Sequence, residues 1–182
     1  MQMRSSRVFS NIALIGFMGT GKSTVGQLTA QMLHFQFLDT DEMIESLTQR
    51  RISEIFATEG ETQFRKYENE VVQQLKNAKH SVISTGGGLI TIPESFQSLR
   101  EHALVVCLWC SPEAILKRVG HQSHRPLLQV ENPLEKIREL LHQREPFYRQ
   151  ADVLLSSEFR TPREVAAHVA QHYRSVQRTQ AE

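Results

Sequence analysis

Residues 16–24 read Gly16-Phe17-Met18-Gly19-Thr20-Gly21-Lys22-Ser23-Thr24. The stretch matches G-x-x-x-x-G-K-[ST] and lies where that motif requires, between an apolar run at 12–15 and a helical pattern that starts at Val25. In that setting the loop's backbone amides surround phosphate oxygens, Lys22 reaches the β- and γ-phosphates, and Ser23 ligates Mg²⁺. The stretch therefore predicts a nucleoside triphosphate site, and it leaves the fate of the triphosphate open.

Short apolar runs alternate with amphipathic stretches along the rest of the chain. We expect strands near 10–15, 36–39, 80–85, 103–109 and 152–155. We expect helices near 22–34, 40–48, 53–58, 61–77, 94–101, 112–119, 133–147 and 162–175. This alternation predicts an α/β fold, in which a parallel sheet carries helices on both faces and binds ligands beyond the carboxyl ends of its strands.

The 182 residues suit a single domain. We expect its core to extend over about 8–175, with polar tails up to about Arg7 and from about Ser175. Three helix starts carry a capping residue followed by proline, at Ser111-Pro112, Asn132-Pro133 and Thr161-Pro162.

Composition narrows the classes of function. A net charge of +1 gives no basis for binding nucleic acid or a membrane surface. No run approaches the roughly 18 apolar residues of a membrane span. Residues 1–10 hold no apolar run of signal-peptide length. We therefore expect a cytoplasmic protein.

The two cysteines, Cys107 and Cys110, have C-x-x-C spacing, and with His121 and His124 they faintly resemble a zinc site. However, they lie in an apolar run typical of a buried strand, where residues three apart face opposite sides. We therefore expect no metal or redox chemistry from them.

A P-loop enzyme uses a carboxylate near a strand end to hold Mg²⁺. The strand near 80–85 ends without an acid, so the candidates are Asp39 and Asp41, which follow the second strand. We expect Asp39 to bind Mg²⁺ through water, and Asp41 to orient or deprotonate an attacking hydroxyl. The alternative is that one of these acids caps the following helix.

Three further groups fit an acceptor pocket. Gly86-Gly87-Gly88 follows a strand, where its bare backbone would let a ligand approach closely, although a tight turn is the alternative. Arg65 and Glu68 share a helix face, so Glu68 can hold Arg65 toward a substrate anion; a solvated salt bridge is the default for such a pair. Arg144 ends a helix at Pro146, and two arginines can hold one carboxylate.

The polar stretch 120–129 lies between two predicted helices and contains Arg125-Pro126. Its length fits a mobile lid over about 119–130, with an ordinary surface loop as the alternative.

Taken in order, these features resemble the shikimate kinase family. The resemblance extends from about Ile12 to about Tyr173. It rests on GFMGTGKST at 16–24, D-T-D at 39–41, G-E-x-x-F-R at 60–65, G-G-G at 86–88, R-P-L-L at 125–128 and R-x-P-x-Y at 144–148. It implies a three-layer P-loop kinase fold whose parallel sheet has five strands in the order 2-3-1-4-5. It also implies ATP-dependent phosphorylation of the 3-hydroxyl of shikimate, in the biosynthesis of aromatic amino acids.

The resemblance also implies roles by matched position. The catalytic residues would be Lys22, Asp41 and Arg125, the last on the lid. The nucleotide would contact Gly19, Thr20, Gly21, Lys22, Ser23, Thr24, Arg118, Arg125 and Pro162. Ser23 and Asp39 would hold one Mg²⁺ per subunit. Shikimate would contact Asp41, Phe56, Phe64, Arg65, Gly86, Gly87, Gly88 and Arg144, with Glu68 supporting Arg65.

Two other interpretations stay open at the level of the residues. Another small-molecule P-loop kinase, such as a gluconate or nucleotide kinase, would use the same chemistry. A non-catalytic nucleotide-binding protein is the other, although the chain lacks the N-K-x-D motif of a GTP switch. Because the site draws on one chain, we expect a monomer whose partners are shikimate and ATP.

Overall fold

The computed structural model describes residues 7–120 and 130–181. Five strands form one sheet: β1 (Asn11–Ile15), β2 (Gln36–Asp39), β3 (Ser81–Ser84), β4 (Ala103–Trp109) and β5 (Val153–Ser156). All neighbouring strands pair in parallel, and their order is β2-β3-β1-β4-β5. The predicted fold class and the strand order that the resemblance implied are therefore confirmed.

Helices connect the strands, as parallel pairing requires. They are α1 (Lys22–Leu33), α2 (Thr40–Thr48), α3 (Ile52–Leu75), α4 (Pro93–His102), α5 (Pro112–Val119), α6 (Pro133–Tyr148) and α7 (Pro162–Ala181). A short 3-10 turn at Leu89–Thr91, which the sequence analysis did not predict, follows β3. Within the described residues, no helix combines the length and the apolar character that crossing a bilayer requires.

The central strands bury both faces. Along β1, Ala13 and Ile15 join a core that α2 to α6 cover, while Ile12 and Leu14 join a second core under α1 and α7. The side-chain period of two in a strand produces this division. The three layers thus hold the β1 carboxyl end, and the loop that follows it, in a rigid frame.

The three predicted caps form. Ser111 Oγ accepts from the Ala114 amide at 3.2 Å, and Asn132 Oδ1 accepts from the Glu135 amide at 3.3 Å. Thr161 and Glu164 form a reciprocal capping box, in which the Thr161 amide donates to Glu164 Oε2 at 2.7 Å.

Helix ends differ from the sequence-based expectation. Helix α6 does not stop at Pro146 but continues to Tyr148. Helix α7 continues to Ala181 where a polar tail was expected, and its Gln177 and Gln180 donate to the carbonyls of Phe9 and Arg7. Contacts with the distant segment at Arg7 and Phe9 order the end of α7, so its polar composition misled the prediction.

Candidate active site

A cavity of about 310 Å³ opens at the carboxyl edge of the sheet, where β1, β2 and β3 end. It is lined by Met18, Gly19, Gly21, Lys22, Ser23, Thr24, Asp39, Asp41, Ser84, Thr85, Gly87, Arg118 and Val119. The phosphate loop, both predicted acids and the middle glycine of the triplet therefore face one space. This is the edge at which an α/β sheet is expected to bind its ligand.

The phosphate loop is closed by its own hydrogen bonds. Gly21 caps α1 with φ of 93°, a left-handed conformation that favours glycine. Lys22 Nζ donates to the carbonyls of Gly16 and Phe17 at 3.0 and 3.1 Å, and Thr20 Oγ1 donates to the Phe17 carbonyl at 2.8 Å. The Lys22 ammonium thus lies over the loop at the amino terminus of α1, where the helix dipole favours an anion.

Asp39 has the capping role that the sequence left open, and it also faces the phosphate loop. Its Oδ1 accepts from the Asp41 amide at 3.0 Å and so caps α2. Its Oδ2 accepts from Ser23 Oγ at 2.9 Å, and Ser23 lies 3.4 Å from Ser84 Oγ. Capping and facing the phosphate loop are compatible because a carboxylate has two oxygens.

These oxygen donors fit Mg²⁺, which prefers such ligands. Among the described residues, no group of three or more His, Cys, Asp or Glu side chains could hold a metal alone. Mg²⁺ at this point would need nucleotide phosphates and water for its other ligands, as is usual for this ion.

Asp41 and Glu68 meet against Gly86. A Cβ atom at Gly86 would lie 2.7 Å from Asp41 Oδ1 and 3.1 Å from Glu68 Oε1. Glu68 is 1% exposed, and burial raises its pKa; Arg65 works against that shift, whereas the charge of Asp41 adds to it. The cleft thus brings two carboxyl groups together beside a bare stretch of backbone.

Arg65 is held from two sides, as the predicted support from Glu68 requires. Its Nη1 donates to Glu68 Oε2 at 2.5 Å, and its Nη2 donates to Glu61 Oε1 at 2.7 Å. Burial acts to lower the pKa of Arg65, but the charges of Glu68 and Glu61 outweigh it, so the pKa rises. The guanidinium packs against Gly88, where a Cβ atom would lie 2.6 Å from Nη2.

Arg144 reaches the same triplet from α6. Its Nη1 donates to the Gly87 carbonyl at 2.9 Å, and its guanidinium carbon lies 5.4 Å from the centre of the Phe17 ring. Arg65 and Arg144 therefore contact adjacent glycines, which suits the grip of one anion by both.

The predicted aromatic pair also comes together. The rings of Phe56 and Phe64 lie 4.6 Å apart between centroids, and Arg65 lies over the Phe64 ring. Phe64 is buried, whereas Phe56 is 40% exposed beside it.

Not all of the predicted nucleotide-binding residues line the cavity. Arg118 lines the cavity, and its guanidinium donates to the carbonyls of Gly19 and Ser157 at 3.1 and 2.6 Å. Pro162 is exposed at the start of α7 and does not line the cavity. Arg125, predicted on the lid, lies outside the described residues.

The cysteines form no disulfide, and both are buried. Burial raises the pKa of Cys107 to about 12. The expectation that they face opposite sides was wrong, because β4 ends at Trp109 and Cys110 packs in the same core as Cys107. His121 and His124 lie outside the described residues.

Three polar residues of the site were not predicted from the sequence. Ser84 and Thr85 line the cavity at the end of β3, where only an acid had been sought. Glu61 pairs with Arg65, and its i,i+4 spacing was a signal that could have revealed it.

The chain is similar to known shikimate kinases. A family model described as shikimate kinase matches residues 18–174. A shikimate kinase of Thermodesulfovibrio yellowstonii is 46% identical over 163 residues, which cover 90% of this chain and 94% of the relative. The chain belongs to the shikimate kinase family. The prediction of an enzyme of this family, with ATP as co-substrate, is thereby confirmed.

Solved structures agree with the shikimate kinase assignment. The structure of shikimate kinase from Acinetobacter baumannii in complex with shikimate has a TM-score of 0.87 and 40% identity, and covers 92% of this chain and 94% of that chain. A gluconokinase from Sinorhizobium meliloti has a TM-score of 0.61 at 15% identity and covers 97% and 99%. That second likeness extends to the fold alone and gives no support to gluconate as the acceptor.

Proposed function

We propose that this chain transfers the γ-phosphoryl group of ATP to the 3-hydroxyl of shikimate, which gives shikimate 3-phosphate and ADP. The observation that carries the proposal is the shared cavity, because the phosphate loop, Asp41 and Gly87 line one space. Gly87 is also the residue to which Arg144 donates. A phosphate donor at one end can therefore face an anionic acceptor at the other.

The acceptor site is assigned by charge. Arg65 and Arg144 bind the carboxylate of shikimate, and the triglycine backbone, Phe56 and Phe64 border the ring. Asp41 lies against Gly86, lines the cavity together with the phosphate loop, and accepts a hydrogen bond from the reacting hydroxyl. Paired guanidinium groups favour a carboxylate because each offers two parallel donors.

The phosphate end of the site does most of the charge stabilisation. Lys22 compensates negative charge on the transferring group, and Arg125 does so from the lid, whose closure excludes water. Mg²⁺, held by Ser23 and by Asp39 through water, would neutralise charge on the β- and γ-phosphates. Arg118 and Pro162 border the adenine. Because phosphoryl transfer needs little covalent chemistry from a protein, positioning contributes most of the rate.

The direct test is an acceptor panel. Purified protein is mixed with ATP, Mg²⁺ and shikimate, and ADP release is followed beside reactions with gluconate and with no acceptor. We expect ADP release that depends on shikimate. ADP release with gluconate instead would show that the protein is a kinase with a different acceptor. Binding of ATP without turnover would show that it is a nucleotide-binding protein without kinase activity.

Arg65→Ala tests the carboxylate site. A hydrogen bond to a charged group contributes about 1.5–3 kcal/mol, so the KM for shikimate should rise about 10- to 100-fold. The kcat and the KM for ATP should change much less, because Arg65 does not line the cavity beside the phosphate loop.

Arg138→Ala is the control for Arg65→Ala, since Arg138 pairs with Glu113 on the surface. It should leave every constant unchanged. An unchanged KM for shikimate in Arg65→Ala would refute the carboxylate assignment.

The oligomeric state and the location belong to the same proposal. The chain would work as a monomer, because the residues proposed to bind the donor and the acceptor all belong to one chain. It would act in the cytoplasm, which supplies the ATP that it needs. Sedimentation of the purified protein tests the first statement, and fractionation of cells tests the second.

A further inference from the structure

The hydroxyl of Tyr148 is buried without a hydrogen-bond partner among residues 7–120 and 130–181. Tyr148 is the last residue of α6 and is 2% exposed. Burial of an unsatisfied hydroxyl destabilises a fold, and native proteins contain few such groups. A buried hydroxyl in this state, one helical turn from Arg144, therefore calls for an explanation.

Packing contacts account for the burial of the Tyr148 ring but not for the burial of its hydroxyl. The ring meets Trp109 edge to face, with centroids 6.4 Å apart and planes at 74°. It also belongs to the core between the sheet and α2 to α6. Phenylalanine would make the same contacts without burying a hydroxyl.

The cation beside this hydroxyl is Arg144. The two residues are one turn apart on α6, and a helical side chain leans back over the preceding turn. Burial raises the pKa of Tyr148 to about 12, while the guanidinium of Arg144 acts to lower it. A phenol oxygen next to a guanidinium can accept one of its N–H groups.

Arg144 is held on other sides by weak or neutral groups. One N–H donates to the Gly87 carbonyl at 2.9 Å, and the Phe17 ring lies at 5.4 Å. Arg65, in contrast, has carboxylates on both sides. A guanidinium without such anchors needs another group to fix the direction of its donors.

We propose that Tyr148 is a positioning residue for Arg144, its hydroxyl oxygen accepting from the guanidinium while the carboxylate of the acceptor occupies the cleft. The proposal rests on the proposed function, in which Arg144 binds that carboxylate. The bond holds the remaining N–H groups toward the cleft. The hydroxyl thus acts on acceptor binding and not on phosphoryl transfer.

Tyr148→Phe is the decisive variant, because it keeps the ring and removes only the oxygen. We expect the KM for shikimate to rise about three- to tenfold, which is the range for one modest hydrogen bond. The kcat should stay within about twofold and the KM for ATP should not change. The melting temperature should stay equal or rise, since a buried unsatisfied group is lost.

Tyr173→Phe is the matched control. Tyr173 is also buried, at 7% exposure, but it lies in the core under α1 and α7, on the other face of the sheet. Its replacement should leave the KM for shikimate unchanged. A rise equal to that of Tyr148→Phe would overturn the proposal.

A double-mutant cycle with Arg144→Ala separates this inference from the proposed function. We expect Tyr148→Phe to have no further effect on the KM once Arg144 is absent. If Arg144→Ala raises the KM but Tyr148→Phe does not, or if the Tyr148→Phe effect persists without Arg144, the positioning role is refuted and the proposed function stands. If Arg144→Ala leaves the KM unchanged, the carboxylate site itself is wrong.

Discussion

The missing side chains of Gly86, Gly87 and Gly88 leave room for different side chains of the cleft. A Cβ atom at Gly86 would crowd Asp41 and Glu68, one at Gly87 would lie 3.5 Å from Arg144 Nη1, and one at Gly88 would strike Arg65. The sequence predicted a bare backbone for close approach of a ligand. In the structure, the space beside this bare backbone is occupied by the side chains that we expect to bind that ligand.

Gly88→Ala should therefore weaken acceptor binding without unfolding the protein. The φ of Gly88 is −103°, which alanine adopts, and the group that must move is the end of a flexible side chain. Displacing Arg65 should raise the KM for shikimate about tenfold, as the loss of one charge-assisted hydrogen bond does. Steady-state kinetics with a melting curve measures both effects.

Gly26→Ala is the contrast to Gly88→Ala. Its Cβ atom would lie 2.6 Å from the Phe37 ring, in the core and away from the acceptor. That variant should lose stability and keep its KM for shikimate. The reverse outcome for the two glycines would contradict the account of the triplet.

Residue identities in the site could be predicted because each motif is local in the sequence. Contacts between motifs could not. Arg144 and Gly87 are 57 positions apart, and nothing in either motif specifies that one donates to the carbonyl of the other. Ser84 was missed because its role depends on neighbours that only the fold supplies.

Helix α3 is broken at Gly60, in agreement with two predicted helices near 53–58 and 61–77. Gly60 has φ of 77° and ψ of 177°, a conformation that is essentially restricted to glycine. The break separates the segment that carries Phe56 from the one that carries Phe64 and Arg65. Their rings still lie 4.6 Å apart, so the kink sets the angle at which the two segments meet.

The sign of the change in the free energy of unfolding in Gly60→Ala shows whether the fold requires the kink in α3. No atom of the described residues lies within 4 Å of a Cβ placed there, so any cost comes from the backbone. We expect a loss of about 1–3 kcal/mol in the free energy of unfolding. In a continuous helix the same change would stabilise by about 0.5–1 kcal/mol.

Denaturant titration of Gly60→Ala measures this change in stability. Thr62→Ala, an exposed change in the second segment of α3, is its control and should be neutral or slightly stabilising. A stabilised Gly60→Ala would show that the helix can run straight.

Helix starts were easier to predict than helix ends. The caps at Ser111, Asn132 and Thr161 act within a few residues, so the sequence contains all that they need. The end of α7 depends on Gln177 and Gln180, which bond to the distant segment at Arg7 and Phe9.

At the scale of the molecule, Asn11 joins three parts of the amino edge of the sheet. Its Oδ1 accepts from the Ser81 amide at 3.0 Å, and its Nδ2 donates to the Ala78 carbonyl at 2.7 Å. That orientation points Nδ2 at His102 Nδ1, 3.0 Å away, so the imidazole nitrogen must accept. A protonated His102 would place two donors face to face.

Stability should therefore fall as the pH drops below about 6.5, the ordinary pKa of histidine. Burial lowers the pKa of His102; Glu101 opposes this shift and Lys76 adds to it. Between the lowered pKa and the ordinary one, the unfolded chain binds more protons, so acid favours unfolding. The slope from this residue is at most about 1.4 kcal/mol per pH unit.

Unfolding by urea at a series of pH values, for wild type and His102→Gln, isolates this contribution. Glutamine can accept from Asn11 and does not titrate, so its curve should be flatter below about pH 6.5. Parallel curves for the two proteins would show that His102 does not carry the acid sensitivity.

The layered architecture could be predicted from alternating strands and helices, but the order of the strands could not. Order 2-3-1-4-5 was available only through the resemblance to a family. Pairing between β1 and β4 joins residues such as Leu14 and Val106, and apolar runs of similar composition do not specify their own neighbours.

The hydrogen bonds from α7 to Arg7 and Phe9 also affect how the protein could be immobilised on a surface. Arg7 donates to the carbonyl of Ala103, the first residue of β4, so both ends of the described chain meet at the amino edge of the sheet. The cavity opens at the opposite edge. A tether, tag or fusion partner attached at either end would leave the kinase facing outward, with its cleft open to solution.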